Sequence, residues 1–132
     1  MSRIIIIIIL IIALGLYSCQ KKDNTAPDAT KVVFNITSPA AGQIYHKGDS
    51  VHVKANITYT GELHGYEVKV TDTASGEILY DDAQQIHNDH FDITDAFSET
   101  GIKALGLKLT LTVKLDDNGD VATNTVNFLY QP

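Results

Sequence analysis

The strongest constraint on this chain lies near its end, where Leu107, Leu109, Leu111, Val113 and Leu115 alternate with Lys108, Thr110, Thr112 and Lys114. A period of two puts the five apolar side chains on one face of a β-strand and the polar ones on the other. Asp117-Asn118-Gly119-Asp120 follows, and Asn-Gly is the preferred pair for a two-residue hairpin loop. With Asn118 and Gly119 as that loop, Leu111 is expected opposite Val126, Leu109 opposite Phe128 and Leu107 opposite Tyr130. On the other face Thr112 meets Thr125 and Thr110 meets Asn127. A slip of one residue would carry every apolar pair into water.

The same period recurs upstream. Val51, Val53, Ala55, Ile57 and Tyr59 alternate with His52, Lys54, Asn56 and Thr58, and Tyr66, Val68 and Val70 alternate with Glu67, Lys69 and Thr71. The pattern resumes in Ile78 and Tyr80 after a turn on Ala74-Ser75-Gly76. Residues 32–37 read as a first strand, closed by Ser38-Pro39 and the Gly42 region. Residues 84–93 read as a short hairpin around His87-Asn88-Asp89-His90. Residues 94–101 read as a single helical turn, capped by Thr94 and ended by Gly101. About seven short antiparallel strands with regular turns and no long helical pattern predict an all-β sandwich.

Much of the 44% apolar content sits in one run, residues 4–16, behind Met1-Ser2-Arg3. Thirteen residues are too few to cross a hydrocarbon core of ~30 Å as a helix. A positive start, a short apolar run and a small residue before a cut site describe a secretory signal. Leu16-Tyr17-Ser18-Cys19 resembles the bacterial lipobox, with an apolar residue three before the cysteine and a small one just before it. That resemblance implies cleavage after residue 18 and acylation of Cys19. One acyl chain binds a membrane only marginally, at ~0.8 kcal/mol per buried CH₂, so stable anchoring takes several chains on one residue. The expected organisation is a signal peptide over 1–18, a lipidated Cys19 and polar tether over 19–31, and one domain over 32–132. The tether lacks any hydrophobic period. Its Gln20-Lys21-Lys22-Asp23 run resembles the charged stretch behind the cysteine of Bacteroidetes-type surface lipoproteins. The implied location is the cell envelope, as an outer-membrane lipoprotein that is periplasm-facing or surface-exposed.

Cys19 is the single cysteine, which excludes an internal disulfide and any cysteine-rich metal site. The domain must hold together by core packing, and about 100 residues suffice for one core. The chain carries 10 basic and 16 acidic side chains. Without Arg3 the remainder has nine basic against 16, a charge of −7. With no clustered basic face, nucleic acid is not an expected partner.

Ile36-Thr37-Ser38-Pro39, then Gly42, then Gly48-Asp49-Ser50-Val51 resembles the opening of many bacterial immunoglobulin-like domains. Residues 113–128, with their Asp-Asn-Gly turn, resemble the last two strands of such domains. The resemblance implies a single immunoglobulin-like sandwich and no particular activity. It departs from antibody-type domains in lacking a cysteine pair, a tryptophan and a tyrosine in the penultimate strand.

Five histidines are candidates for chemistry. With Asn88 and Asp89 as a tight loop, His87 and His90 would face each other, with Asp89 and Asp92 beside them. His64 shares parity with Tyr66 and Val68 and could supply a third ligand. Two imidazoles with a further nitrogen or oxygen donor suit Cu²⁺ or Zn²⁺, so the candidate metal set is His87, His90, His64 and Asp89. His46 and His52 read as solvated. Asp81, Asp82, Asp89, Asp92, Asp95 and Glu99 read as a solvated edge whose charges discourage edge-to-edge pairing. Asp116-Asp117-Asn118-Gly119-Asp120 lacks the sixth-position glycine and downstream glutamate of a calcium loop. Asp49-Ser50-Val51 and Asp72-Thr73-Ala74 match a three-residue O-glycosylation pattern of Bacteroidetes exported proteins, through Ser50 and Thr73. No nucleophile elbow, phosphate loop or HExxH motif is present. The expected function is therefore a lipid-anchored, non-catalytic module without a required cofactor, binding a protein or glycan. The alternative is a lipoprotein that binds Cu or Zn through its histidines.

Overall fold

A computed structural model of the chain describes residues 26–101 and 103–132. The signal segment, Cys19 and most of the tether lie outside the described residues. After a 3-10 turn (Ala29–Lys31) come eight strands: β1 (Val33–Ser38), β2 (Ile44–His46), β3 (Ser50–Leu63), β4 (Gly65–Asp72), β5 (Ile78–Gln84), β6 (Asn88–Ser98), β7 (Leu105–Lys114) and β8 (Val121–Gln131). They form a three-stranded sheet, β1-β3-β6, and a five-stranded sheet, β2-β8-β7-β4-β5. This is an immunoglobulin-like sandwich.

The core forms where the in-phase side chains of the two sheets meet. Val51, Val53, Ala55 and Ile57 of β3 and Phe91, Ile93 and Phe97 of β6 come from one sheet. Val68 and Val70 of β4, Leu107, Leu109, Leu111 and Val113 of β7, and Phe128 and Tyr130 of β8 come from the other. Each fully buried Val, Leu, Ile or Phe side chain contributes about 1.5–3 kcal/mol. With no disulfide, this burial is the main favourable term. Along the β5–β6 flank, Tyr66 stacks on Phe91 and Tyr80 on Phe97, at 5.2 and 5.4 Å between ring centroids. The Tyr80 hydroxyl donates to Asp95 Oδ2 at 2.6 Å and so joins the edges of the two sheets.

Several local expectations are corrected. The β7–β8 hairpin keeps its predicted faces but is shifted by two residues, pairing Leu107 with Phe128, Leu109 with Val126 and Leu111 with Asn124. Thr110 faces Thr125, and Thr112 faces Thr123. The cause is Asp116, whose Oδ1 accepts the backbone N–H groups of Asn118, Gly119 and Asp120. Leu115 N–H closes on Asp120 O at 2.8 Å, so the loop has four residues rather than two. A shift of two preserves parity, which is why the buried set survives.

Residues 84–93 do not form a hairpin. β5 belongs to the five-stranded sheet and β6 to the three-stranded one, so residues 85–87 cross between sheets. The helical turn expected over 94–101 is strand as far as Ser98, because Phe91, Ile93 and Phe97 are in phase and buried. Ile78 is exposed rather than in the core, since the β4–β5 register slips between Val70 and Thr71. The three-residue β2, which runs parallel to β8, brings the strands among the described residues to eight, in keeping with the expected number of about seven.

Candidate functional site

At one end of the sandwich three connections meet. β3 passes to β4, in the opposite sheet, across the single residue His64. β5 passes to β6 across Gln85, Ile86 and His87, and the β7–β8 loop closes beside them. The His64 backbone N–H donates to Lys114 O at 2.8 Å. The Gln85 amide, oriented by its partners, donates to His64 O at 2.8 Å and accepts from Lys114 Nζ at 3.1 Å. This corner depends on Gly65, whose φ of +147° is open to glycine and costly for other residues. A Cβ there would stand 2.5 Å from Gln84 O.

Glu62 reaches the same end through an irregularity in β3. Thr58 pairs with His90 and Leu63 with Asn88, so five steps along β3 match two along β6. Bulges of this kind re-aim side chains at sheet margins. His87 Nδ1 lies 3.0 Å from Glu62 Oε1, and His64 Nδ1 lies 3.1 Å from Asp117 Oδ1. The two imidazole rings meet edge to face, 4.9 Å between centroids at 66°. One ligand atom from each of Glu62, His64 and His87 lies within 4.8 Å of the others. These are donor types that suit Zn²⁺ or Cu²⁺.

The structure thus brings two of the expected histidines together and separates the others. His64 and His87 converge. His90 lies on β6 opposite Thr58 and contacts Asp89, and neither joins the cluster. Their expected convergence with His87 depended on a hairpin that does not form. Glu62 was not anticipated, because it sits on the polar phase of a strand whose alternation runs on to Leu63. The register shift that carries it to His87 lies in the pairing with β6 and not in the local pattern. His46 and His52 are exposed. Asp81 and Asp82 lie on β5 and Asp89, Asp92 and Asp95 on β6, each an edge strand of its sheet.

The opposite end carries Ser50 at the start of β3 and Thr73 in the β4–β5 turn, both exposed, with the Thr73 hydroxyl donating to Gly106 O at 3.0 Å. The Asp72 carboxylate accepts from Ser75 Oγ at 2.6 Å and from the Ala74 and Ser75 N–H groups. The Ser75 hydroxyl, followed by the Ala74 N–H, holds the Asp72 carboxyl below its usual range. Asp116 is lowered likewise, first by the Asn118 side chain and then by the loop N–H groups. Both carboxylates are occupied as turn caps. Burial, followed by the Asp95 hydrogen bond, raises Tyr80 well above the usual phenol range.

No family model and no curated protein matches the chain. Among solved structures it is similar to a fibronectin(III)-like module of Clostridium thermocellum CbhA, at 16% identity over 75% of this chain and 96% of that one, with a TM-score of 0.47. It is also similar to a CARDB domain of Pyrococcus furiosus solved in complex with di-metal ions, at 14% identity over 80% of this chain and 96% of that one, with a TM-score of 0.44. The sandwich is read from its own strand order, to which neither likeness adds.

Proposed function

We propose that this chain is a lipid-anchored immunoglobulin-like module of the cell envelope that acts by binding, not catalysis, and offers its loop end to a protein or glycan on the membrane that carries it. The observation behind this reading is where the tether joins the domain. Asp28 N–H donates to the Tyr59 hydroxyl at 3.0 Å, and β1 starts opposite Thr58, beside the end of β3 where Glu62 and His64 lie. Asp28 is nine residues beyond Cys19, and even a fully extended chain of that length spans only about 30 Å. An acylated Cys19 therefore keeps the loop end close to the bilayer and leaves the turn at Asp72 as the distal tip. The acidic surface argues against nucleic acid as the partner. Outer-membrane placement, periplasmic or surface-exposed, accords with the Lys21-Lys22-Asp23 stretch after Cys19.

Metabolic labelling with a palmitate analogue, followed by membrane fractionation, tests the anchor. Wild type is expected to take up label and sediment with the outer membrane. Cys19→Ala is expected to lose the label and leave the membrane fraction. Label retained by Cys19→Ala, or equal sedimentation of both proteins, would overturn the reading.

A further inference from the structure

We propose that Glu62, His64 and His87 form a binding site for a divalent transition ion of the Zn²⁺ or Cu²⁺ class, with Asp117 as a positioning residue. The inference does not depend on the lipid anchor. Its main ground is that the cluster gathers groups remote in sequence: Glu62 and His87 are 25 residues apart, and His64 and Asp117 are 53 apart. Neighbouring polar residues on one turn converge by chance. Convergence of three connections at a corner needs each of them to be held, and here each is. His64 is fixed on both sides of its peptide, by Lys114 O and the Gln85 amide. Glu62 is delivered by the β3 irregularity, and Asp117 by the loop that Asp116 caps.

The donor set also fits the ion. An Asp117 carboxylate on Nδ1 of His64 fixes the tautomer that leaves Nε2 for a metal, the carboxylate–histidine arrangement common around Zn²⁺. Glu62 Oε1 and His87 Nδ1, 3.0 Å apart, are close to the roughly 3.3 Å between ligands 2.0–2.1 Å from a tetrahedral ion. Closing the set from 4.8 Å requires only rotation of side chains, of which Glu62 and His87 are more than half exposed. Three protein ligands leave at least one position open to water or to a ligand from a partner. His90 and Asp89 do not contribute. An ion at this site ties the β3–β4 corner to the β5–β6 crossover and so braces the end that faces the tether.

The test is calorimetric titration of the chelator-stripped full-length protein, purified in detergent, with Zn²⁺ and then Cu²⁺. Wild type is expected to bind one ion per chain. His64→Ala and His87→Ala should each weaken binding by at least tenfold, a usual effect of losing one of three ligands. His90→Ala and the pair His46→Ala/His52→Ala should stay within twofold. Asp117→Ala should weaken binding by about tenfold, as for a lost outer-shell partner, while keeping the stoichiometry. His87→Gln, at an exposed position, guards against misfolding as the cause of any loss. Histidine ¹⁵N spectra with Zn²⁺ should move His64 and His87 and leave His90 in place. Absence of stoichiometric binding, or a loss in His90→Ala equal to that in His87→Ala, would overturn the site.

Discussion

The two ends of the sandwich reverse the same strands but use their carboxylates differently. At the distal end Asp72 serves its own turn, accepting from Ala74 and Ser75 two and three residues away. At the tether end Asp116 does the same for the β7–β8 loop, but Glu62 and Asp117 reach histidines of other segments. Local caps stabilise a turn and are then used up. Contacts between segments position side chains that no single turn could bring together, which is what a binding site requires. The glycines differ in the same sense. Gly76, at the distal turn, has φ +76° and nothing within 4 Å of a built Cβ, whereas Gly65 would press a Cβ onto Gln84 O at 2.5 Å.

The largest predicted effect exploits that contrast. Gly65→Ala should cost about 3 kcal/mol, from positive φ together with a clash against backbone that has no flexible end to move. Gly76→Ala should cost about 1 kcal/mol, from φ alone. Urea unfolding of both variants measures the gap. Gly65→Ala should also disturb His64 and weaken the metal site, while Gly76→Ala leaves it intact. Equal costs at the two positions would show that the tether-end corner is no tighter than an ordinary turn.

A smaller effect is expected on the flank between the ends. Tyr80→Phe removes the hydroxyl that bonds Asp95 and should cost about 1 kcal/mol, as for one partly buried hydrogen bond. The stacking of residue 80 on Phe97 survives the change. Metal affinity should be unaltered, since the flank supplies no ligand. A fall in affinity as large as that of Asp117→Ala would mean the tether end is not held by its own contacts.

How far the molecule could be read beforehand follows the same division between local and distant. Alternation in β3, β4 and β7 named most of the core, because period two in a half-buried strand reflects burial directly. Asn118-Gly119 correctly marked a reversal but not its length, since the decisive group was the carboxylate of Asp116 two residues earlier. The segment around His87-Asn88-Asp89-His90 looked like a hairpin because turn residues are alike whether a chain returns to its own sheet or crosses to the other. That choice rests on which sheet β6 joins, a property of the whole fold. It is also why the expected meeting of His87 with His90 and Asp89 does not occur. His64 and His87 were both recognisable as candidates, yet their meeting and the arrival of Glu62 depended on two sheet crossings and a register shift that no local pattern encodes.

The smallest effect, and the sharpest comparison of the two caps, is in acid. Asp72 and Asp116 both titrate below the ordinary carboxylate value of 3.8 in the folded protein. A carboxyl with a depressed folded pKa binds its proton more readily when unfolded, so its contribution is fully present above the unfolded value. It is lost as pH falls below 3.8 and through the folded value. Stability should therefore change little from these two groups between neutrality and about pH 5 and then decline. Asp72→Asn and Asp116→Asn should each flatten that decline, because the amide no longer titrates. Each also loses the bonds to one of the two carboxylate oxygens, so both variants start from a lower stability at neutral pH. Burial opposes the lowering at both groups but ranks below two hydrogen bonds at Asp72 and below only one at Asp116, so Asp72 should account for more of the slope. Thermal melts of the three proteins from about pH 6 down to about pH 2.5 measure this. If Asp116→Asn flattens the acid limb more than Asp72→Asn, the tether-end cap is the stronger one, and the assignment of tight local capping to the distal end is reversed.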